Sequence, residues 1–232
     1  MGLLFPPRCA VCTELLELEE RKGFLCRSCA ENIPFVPKES CPHCGGETDT
    51  AGFCDACRKE FAFAGGCAAF PYETVRRAIH LLKYNGGKRL GEGLGVLMAD
   101  YLEQYHEELL VKTDLVLAVP LHPKKEKRRG FNQTQLLCEG LAAQTGLLVR
   151  KGVLVRKRET AAQSTLDSPE ERRRNLKNAF AVTEDLTGKR ILLADDIFTT
   201  GATCNECAKE LYRAGAKEVS VFCLSATKGQ KI

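Results

Sequence analysis

The chain has 232 residues, of which 44% are hydrophobic and 28% are charged, and its formal net charge is +4. These proportions are ordinary for a globular protein with one sizeable core and a small appendage. No apolar run approaches the roughly 18 residues of a transmembrane helix, and the N-terminus lacks the basic flank of a signal peptide. The spacing of the 13 cysteines favours metal binding over a secreted disulfide scaffold, so we expect a cytoplasmic protein.

Four Cys-x-x-Cys pairs lie within the first sixty residues. Their members are Cys9, Cys12, Cys26, Cys29, Cys41, Cys44, Cys54 and Cys57. Two such pairs complete a four-thiolate site with no open coordination position, so we expect two structural zinc ions that supply folding energy. Grouping the first four cysteines and the last four is favoured over a cross-braced arrangement, which the spacing leaves open. Disulfides and an iron–sulfur cluster are disfavoured alternatives.

The cysteine pattern predicts a double zinc ribbon over residues 1–62 and a second domain over residues 63–232. Residues 1–60 contain seven Lys and Arg against ten Asp and Glu, so the basic excess of the chain falls in the second domain. An anionic ligand there would need such an excess. Strand and helix patterns alternate in this domain, which predicts an α/β fold with a mainly parallel sheet and helices on both faces.

In chain order, the apolar patterns predict strands at residues 67–72, 115–119, 180–182, 191–195 and 219–224. A further strand is expected at either 147–150 or 153–156, because Gly152 leaves its register open. Helices are predicted at about 73–84, 90–110, 133–145 and 202–214, with a short helical turn at 170–176. Residues 120–132 are expected to form a loop. Residues 156–169 are polar and lack an apolar period, so we expect them to be mobile.

The most informative stretch is residues 191–203, which read ILLADDIFTTGAT. An apolar run typical of a buried parallel strand ends in Asp195 and Asp196, and small and hydroxylated residues follow it. Backbone N–H groups of such a loop, at the N-terminus of a helix, can hold a phosphate. The loop has neither the lysine of a Walker A motif nor the spacing of a dinucleotide fold. Because the two acids suit the vicinal hydroxyls of a ribose, the stretch predicts a sugar 5-phosphate site.

This stretch resembles the signature of type I phosphoribosyltransferases, in which four apolar residues and two acids precede a Thr-Thr-Gly-x-Thr loop. Other motifs precede it: RGFNQ at residues 129–133, Gln163, RxxN at 172–175 and AF at 179–180. Together with the paired zinc motifs, they resemble the ComF family of bacterial competence-type proteins over essentially the whole chain. The resemblance implies a type I phosphoribosyltransferase-like fold and an association with DNA uptake in natural transformation.

Carried over position by position, the resemblance implies a site for phosphoribosyl diphosphate with Mg²⁺. Asp195 and Asp196 would accept hydrogen bonds from the ribose hydroxyls. The 5-phosphate loop would consist of Thr199, Thr200, Gly201, Ala202 and Thr203. Candidates for holding the pyrophosphate are Arg128, Arg129 and Gly130, in the loop after the strand at 115–119. Candidates in a flexible closing loop are Arg156, Lys157 and Arg158.

Two functions remain open at this point. The first is a phosphoribosyltransferase that transfers phosphoribose to an acceptor the sequence does not reveal. Thr199 stands where hydroxypurine-using enzymes of the superfamily have a third acid, and a hydroxyl cannot act as that base, so this substrate class is disfavoured. The second is a non-catalytic adaptor that binds single-stranded DNA and other competence proteins and uses the site as a ligand sensor. Cys204 and Cys207 follow the loop, and we expect them to fill space.

Overall fold

The structure is a computed structural model, and it describes residues 7–22, 24–37, 39–41, 52–59, 61–84, 88–158 and 175–227. Its helices are α1 Arg27–Asn32, α2 Asp55–Lys59, α3 Tyr72–Tyr84, α4 Lys88–Tyr105, α5 Glu107–Lys112, α6 Pro123–Arg129, α7 Gln133–Thr145 and α8 Ala202–Arg213, with a 3₁₀ turn at Glu20–Lys22. Its strands are β1 Gly65–Pro71, β2 Leu115–Ala118, β3 Leu154–Arg156, β4 Phe180–Val182, β5 Arg190–Phe198 and β6 Glu218–Ala226.

The main sheet contains four parallel strands in the order β1-β6-β5-β2. A single parallel bridge from Val149 to Val116 extends its β2 edge. β3 and β4 form a separate antiparallel pair. The predicted parallel α/β sheet is confirmed, and β5 lies inside it with its carboxyl end beside the loop that leads to α8.

Helices cover both faces of this sheet, and neighbouring residues of β5 therefore join different cores. Leu193 packs in the cluster that contains Cys207 and Leu211 of α8. Leu192 packs in the cluster that contains Leu94 of α4 and Leu137 of α7. A strand buried on both faces must be apolar at consecutive positions, which explains the uninterrupted apolar run that begins at Ile191.

The sequence predicted α7 and β4 with their observed bounds, but two other expectations need correction and one open alternative is resolved. Residues 120–132 were expected to form a loop, whereas they contain α6, which has Pro123 at its first turn and Gly130 as its C-cap. The single helix expected over 90–110 is interrupted at His106, which separates α4 from α5. Of the two alternatives for the next strand, 153–156 contains β3, while 147–150 contributes only the Val149 bridge.

Some expectations fall outside the described residues. They are the mobility expected of residues 159–169, most of the helical turn at 170–176, Gln163 and Arg172 of the motifs, and Cys44. Within the described parts of the chain, no helix combines the length and the apolar character needed to cross a membrane.

The N-terminal region packs directly on the α/β domain. The Phe35 ring lies 5.3 Å from the rings of Phe70 and Tyr101, measured between centroids. The guanidinium of Arg77 on α3 donates a hydrogen bond of 2.5 Å to the carbonyl of Cys9. The Val36 N–H donates to the carbonyl of Ala69 in β1 at 2.8 Å. The two parts of the chain therefore share apolar contacts and hydrogen bonds.

Candidate functional site

The loop from Thr199 to Thr203 connects the carboxyl end of β5 to the N-terminus of α8. Together with Asp195, Ile197, Phe198 and Cys204 it lines a concave space of about 240 Å³. Gly201 is the N-cap of α8 and has a left-handed φ of 70°. Free backbone N–H groups at the start of a twelve-residue helix favour an anion in this position. This geometry suits an anion such as a phosphate group.

The two acids extend to opposite faces of β5, as alternation along a strand requires. Asp195 faces α8, and its carboxylate accepts a hydrogen bond from the Cys204 thiol, with sulfur and oxygen 3.8 Å apart. Asp196 faces α3 and α7, where Oδ2 lies 2.6 Å from Lys83 Nζ. The same oxygen accepts a 3.3 Å hydrogen bond from the Gln133 side-chain amide. Both acids are largely buried.

Burial affects the two acids differently because Asp196 forms a close ion pair with Lys83. Burial, and then the negative charge of Asp196, raise the pKa of Asp195 well above its usual value. Burial also acts to raise the pKa of Asp196, but the charge and hydrogen bond of Lys83 outweigh it, so this pKa is lowered. Asp196 is therefore the more acidic member of the pair.

We expect an Asp195→Asn substitution to stabilise the protein near neutral pH by on the order of 1–3 kcal/mol. Because the folded-state pKa of Asp195 is raised, the folded protein loses stability as pH rises above the carboxyl's unfolded-state pKa of about 4. Asparagine removes that loss, so the gain should be absent near pH 4 and should grow toward pH 7. Urea unfolding of both proteins across this range measures the difference.

Asp114→Asn provides a control with the opposite sign. Hydrogen bonds from Arg190 lower the pKa of Asp114 to about 2. Asp114 therefore contributes stability above its unfolded-state pKa, and that contribution is lost as pH falls toward 2. This variant should be less stable than the wild type at neutral pH, with the difference shrinking in acid. A gain for Asp195→Asn that does not depend on pH would contradict the raised pKa of Asp195.

Basic side chains from three elements lie near the two acids. Lys83 of α3 and both Lys125 and Arg129 of α6 lie near Asp196, whereas Arg156 of β3 lies near Asp195. Burial, and then the positive charges of Arg129, Lys83 and Arg156, lower the pKa of Lys125, while Asp196 acts to raise it. The Arg129 guanidinium donates a hydrogen bond to the Gln133 side chain, which in turn donates to Asp196. This excess of positive charge beside the acids suits a multiply charged anion.

The remaining residues that were predicted to bind an anion do not all lie beside the acids. Gly130 ends α6 with a left-handed φ of 89°, and Arg128 is exposed on the same helix. Arg156 lies on β3 with its guanidinium 5.4 Å from the centre of the Phe180 ring. The Lys157 side chain is exposed, and Arg158 donates hydrogen bonds of 2.7 and 3.0 Å to the carbonyls of Asn175 and Lys177. Of the three closing-loop candidates, Arg156 is the one beside the acids.

An aromatic cluster formed by residues 53–63 and the end of β5 packs against the loop of residues 199–203. It consists of Phe53, Phe61, Phe63 and Phe198. The Phe53 and Phe198 rings are 4.8 Å apart, and the Phe61 and Phe63 rings stack at 4.7 Å. The Ala62 N–H donates a 2.7 Å hydrogen bond to the Asn205 side chain, one turn into α8. The sequence did not reveal this support, because no motif links residues so distant in the chain.

Sequence reasoning did not assign Lys83 and Gln133 to the acid pair. Gln133 was part of a motif, and Lys83, with Lys88 and Arg89, was a candidate for lining an anionic groove, although such residues more often form a solvated face. The available signal was the basic charge at the end of α3, a position that is usually solvated in a globular protein. Only the packing of α3 and α7 against β5 brings both side chains to Asp196.

The described cysteines of the N-terminal region form two clusters. The sulfur atoms of Cys9, Cys12, Cys26 and Cys29 lie within 4.8 Å of one another, as do those of Cys41, Cys54 and Cys57. Four thiolates at such distances fit a tetrahedral zinc ion, and three leave room for a fourth ligand. This grouping follows the order of the chain, as the sequence favoured.

By contrast, Cys204 and Cys207 are buried among the side chains of the core, as expected.

Comparison with known proteins gives two family matches. Residues 1–64 match the double zinc ribbon domain and residues 97–232 match the phosphoribosyl transferase domain. A DNA utilization protein of Escherichia coli K12 is 37% identical over 150 residues, which cover 64% of this chain and 66% of that protein. The chain thus spans just under two thirds of that relative's length. Zinc ribbons with structural zinc, and the phosphoribosyltransferase-like domain, are confirmed.

Two further relatives match along nearly their full length. The competence protein ComFC of Streptococcus pneumoniae is 32% identical, covering 91% of this chain and 92% of that protein. Competence protein F of Haemophilus influenzae is 30% identical, covering 94% and 96%. Among solved structures, a glutamine phosphoribosylpyrophosphate amidotransferase of B. subtilis is 24% identical, with a TM-score of 0.39, over 58% of this chain and 26% of that chain.

Proposed function

Because this chain belongs to the ComF family of competence-type proteins, we propose that it binds phosphoribosyl diphosphate with Mg²⁺ and acts in DNA uptake. The observation that carries the ligand is the junction of a phosphate-binding loop, an acid pair and basic side chains at the end of β5. The role in DNA uptake rests on relatives named for competence and for DNA utilization. The free thiols required for zinc binding suit a reducing compartment, so we extend the proposal to the cytoplasm.

Each part of the site matches one part of this ligand. The backbone N–H groups of residues 199–203 hold the 5-phosphate, with the positive end of the α8 dipole behind them. The carboxyl groups of Asp195 and Asp196 accept hydrogen bonds from the ribose hydroxyls. Arg129 and Lys125 lie beside Asp196, and Arg156 lies near Asp195, where they offset the negative charge that develops on the departing diphosphate.

The acid pair also fits a Mg²⁺ ion that enters with the diphosphate. Mg²⁺ is usually bound by one or two carboxylates together with substrate phosphates, and Asp195 and Asp196 are the carboxylates beside the loop. The ion would neutralise phosphate charge as the diphosphate leaves. The protein's own contribution is to orient the ribose and to keep the anionic groups among fixed positive charges.

Ligand-induced stabilisation tests the binding. Mg²⁺ and phosphoribosyl diphosphate at about 100 times the dissociation constant should raise the melting temperature of the wild type by about 5–10 °C. The shift should be absent in an Asp195→Asn/Asp196→Asn variant and should persist in Asp185→Asn, whose carboxylate is exposed and accepts hydrogen bonds from Thr187. An equal shift in the double variant would count against the proposed site.

Turnover is the second half of the proposal. A phosphoribosyltransferase releases pyrophosphate as the acceptor attacks C1 of the ribose, so an acceptor screen with a pyrophosphate-coupled assay would detect activity. Release should be lost in the Asp195→Asn/Asp196→Asn variant. Tight binding of the ligand without release, across nucleobases and nucleotides, would favour the sensor function instead.

The second candidate, a single-stranded DNA adaptor, is favoured by α6. This helix carries Lys124, Lys127 and Arg128 on exposed positions, next to the end of the sheet where the ligand would bind. A row of cations suits a phosphate backbone, and binding through it must weaken as salt rises. Replacing these three residues by Gln should lower the slope of log affinity against log salt by about 2 units. Affinity that does not change with salt would exclude this function.

A further inference from the structure

The ion pair with Lys83 engages the Asp196 carboxylate, to which the ribose of the proposed ligand would bind. Lys83 Nζ lies 2.6 Å from Asp196 Oδ2, and the two side chains are only 23% and 9% exposed. The Gln133 amide donates to the same oxygen, and the Ile197 N–H donates to the other at 2.9 Å. Both oxygens of the proposed ribose-binding acid are therefore engaged before any ligand arrives.

A ribose hydroxyl must compete for this carboxylate. Each carboxylate oxygen has about two lone-pair sites, and Oδ2 already accepts from Lys83 and Gln133. A hydroxyl that bonds Oδ2 therefore displaces one of these donors or shares with it. The side-chain oxygen of Gln133 accepts a hydrogen bond from Arg129, whereas the ammonium group of Lys83 is carried by a flexible four-carbon stem. Lys83 is therefore the donor more able to move.

The diphosphate of a bound ligand would offer Lys83 an alternative anionic partner. A hydroxyl bonded to Asp196 Oδ2 lies about 2.7 Å from it, which puts the hydroxyl within about 5 Å of Nζ. The diphosphate is attached to C1 of the ribose, the neighbour of the carbon that bears the 2-hydroxyl. A lysine has three donors, so Lys83 can reach a diphosphate oxygen with a small rotation of its stem.

We propose that Lys83 is a diphosphate-binding residue. Asp196 holds Lys83 in place until the ligand arrives. When the ligand binds, Asp196 exchanges the ammonium group of Lys83 for the ribose hydroxyls. The inference rests on the proposed function and adds a basis for specificity to it. A ligand with a diphosphate provides Lys83 with a new anionic partner and frees Asp196 for the ribose. Ribose 5-phosphate provides no such partner, so it must displace the ammonium group without compensation and binds more weakly.

Calorimetry with two ligands tests this exchange. Titrations of phosphoribosyl diphosphate and of ribose 5-phosphate, each with Mg²⁺, give the ratio of their affinities for the wild type, Lys83→Met and Lys83→Arg. A hydrogen bond to a charged group contributes about 1.5–3 kcal/mol, so the ratio should fall about 10- to 100-fold in Lys83→Met. Lys83→Arg keeps the charge and should retain most of the preference. Lys209→Met is the matched control, because it removes a lysine 2.5 Å from Glu206 on the exposed side of α8.

The outcomes separate this inference from the proposed function. An unchanged ratio in Lys83→Met, whether both affinities fall together or neither falls, would overturn the exchange and leave the ligand site intact. A wild type that binds neither ligand would overturn the proposed function and the exchange with it. A ratio that falls in Lys83→Met but not in Lys83→Arg or Lys209→Met supports the exchange.

Discussion

A Gly201→Val substitution is expected to abolish 5-phosphate binding and to lower the free energy of unfolding by about 2–5 kcal/mol. Gly201 has a φ of +70°, which a β-branched residue adopts only under strain. A Cβ atom at this position would lie 2.6 Å from both Phe198 Cζ and Phe61 Cε1. The loop can accommodate the side chain only by moving off the aromatic cluster, which displaces the N–H groups that hold the phosphate.

Gly146→Val separates the steric effect from the backbone strain. Gly146 ends α7 with a φ of +72°, and among the described residues no atom lies within 4 Å of the position that a Cβ would take there. This variant should lose about 1–3 kcal/mol and keep its affinity for ribose 5-phosphate. Urea unfolding and calorimetry of both variants measure the two effects. Retention of phosphate binding in Gly201→Val would show that the loop does not depend on its close fit to Phe61 and Phe198.

Disruption of the second cysteine cluster is expected to impair the phosphate loop as well as the ribbon. Cys41, Cys54 and Cys57 flank Phe53, whose ring contacts Phe198. Structural zinc contributes about 10 kcal/mol to the folding of small zinc domains, so its loss should release the ring. We therefore expect Cys57→Ser to reduce zinc content from two ions per chain to about one and to weaken ribose 5-phosphate binding at least 10-fold.

Cys12→Ser is the control, since it removes a ligand from the first cluster. That cluster packs with Leu16 and is joined to α3 through the hydrogen bond from Arg77 to the Cys9 carbonyl. Among the described residues, its members contact none of the aromatic side chains beneath the loop. Cys12→Ser should also lose a zinc ion, measured by elemental analysis, while its ligand affinity stays within about threefold of the wild type. Equal loss of affinity in both variants would indicate general unfolding instead.

Local sequence signals predicted those elements whose causes are local. The bounds of α7 follow from Asn132, whose side chain caps the helix, and from Gly146 at its end. β5 was recognised from its apolar run, although it continues through both acids to Phe198. The failure at α6 has a clear reason. None of its residues is fully buried and its sequence PKKEKRR has no apolar period, so its signals are the cap at His122 and Gly130.

The site was only partly predictable, for a physical reason. Asp195, Asp196 and the loop are contiguous in sequence, so their chemistry can be recognised there. The Lys83–Asp196 pair and the ring of Phe53 against Phe198 depend on how distant elements pack. Neither pairing follows from residue type, because a lysine at a helix end is usually solvated and a phenylalanine in a zinc ribbon usually fills its own small core.

The most direct test of the central claim is calorimetric titration of phosphoribosyl diphosphate with Mg²⁺. We predict saturable binding to the wild type at about one site per chain. Two hydrogen bonds to charged groups contribute about 3 kcal/mol or more, so the affinity of Asp195→Asn/Asp196→Asn should be at least about 100-fold lower. Absence of binding heat with the wild type, or equal affinity in the two proteins, would contradict a phosphoribosyl diphosphate site at the end of β5.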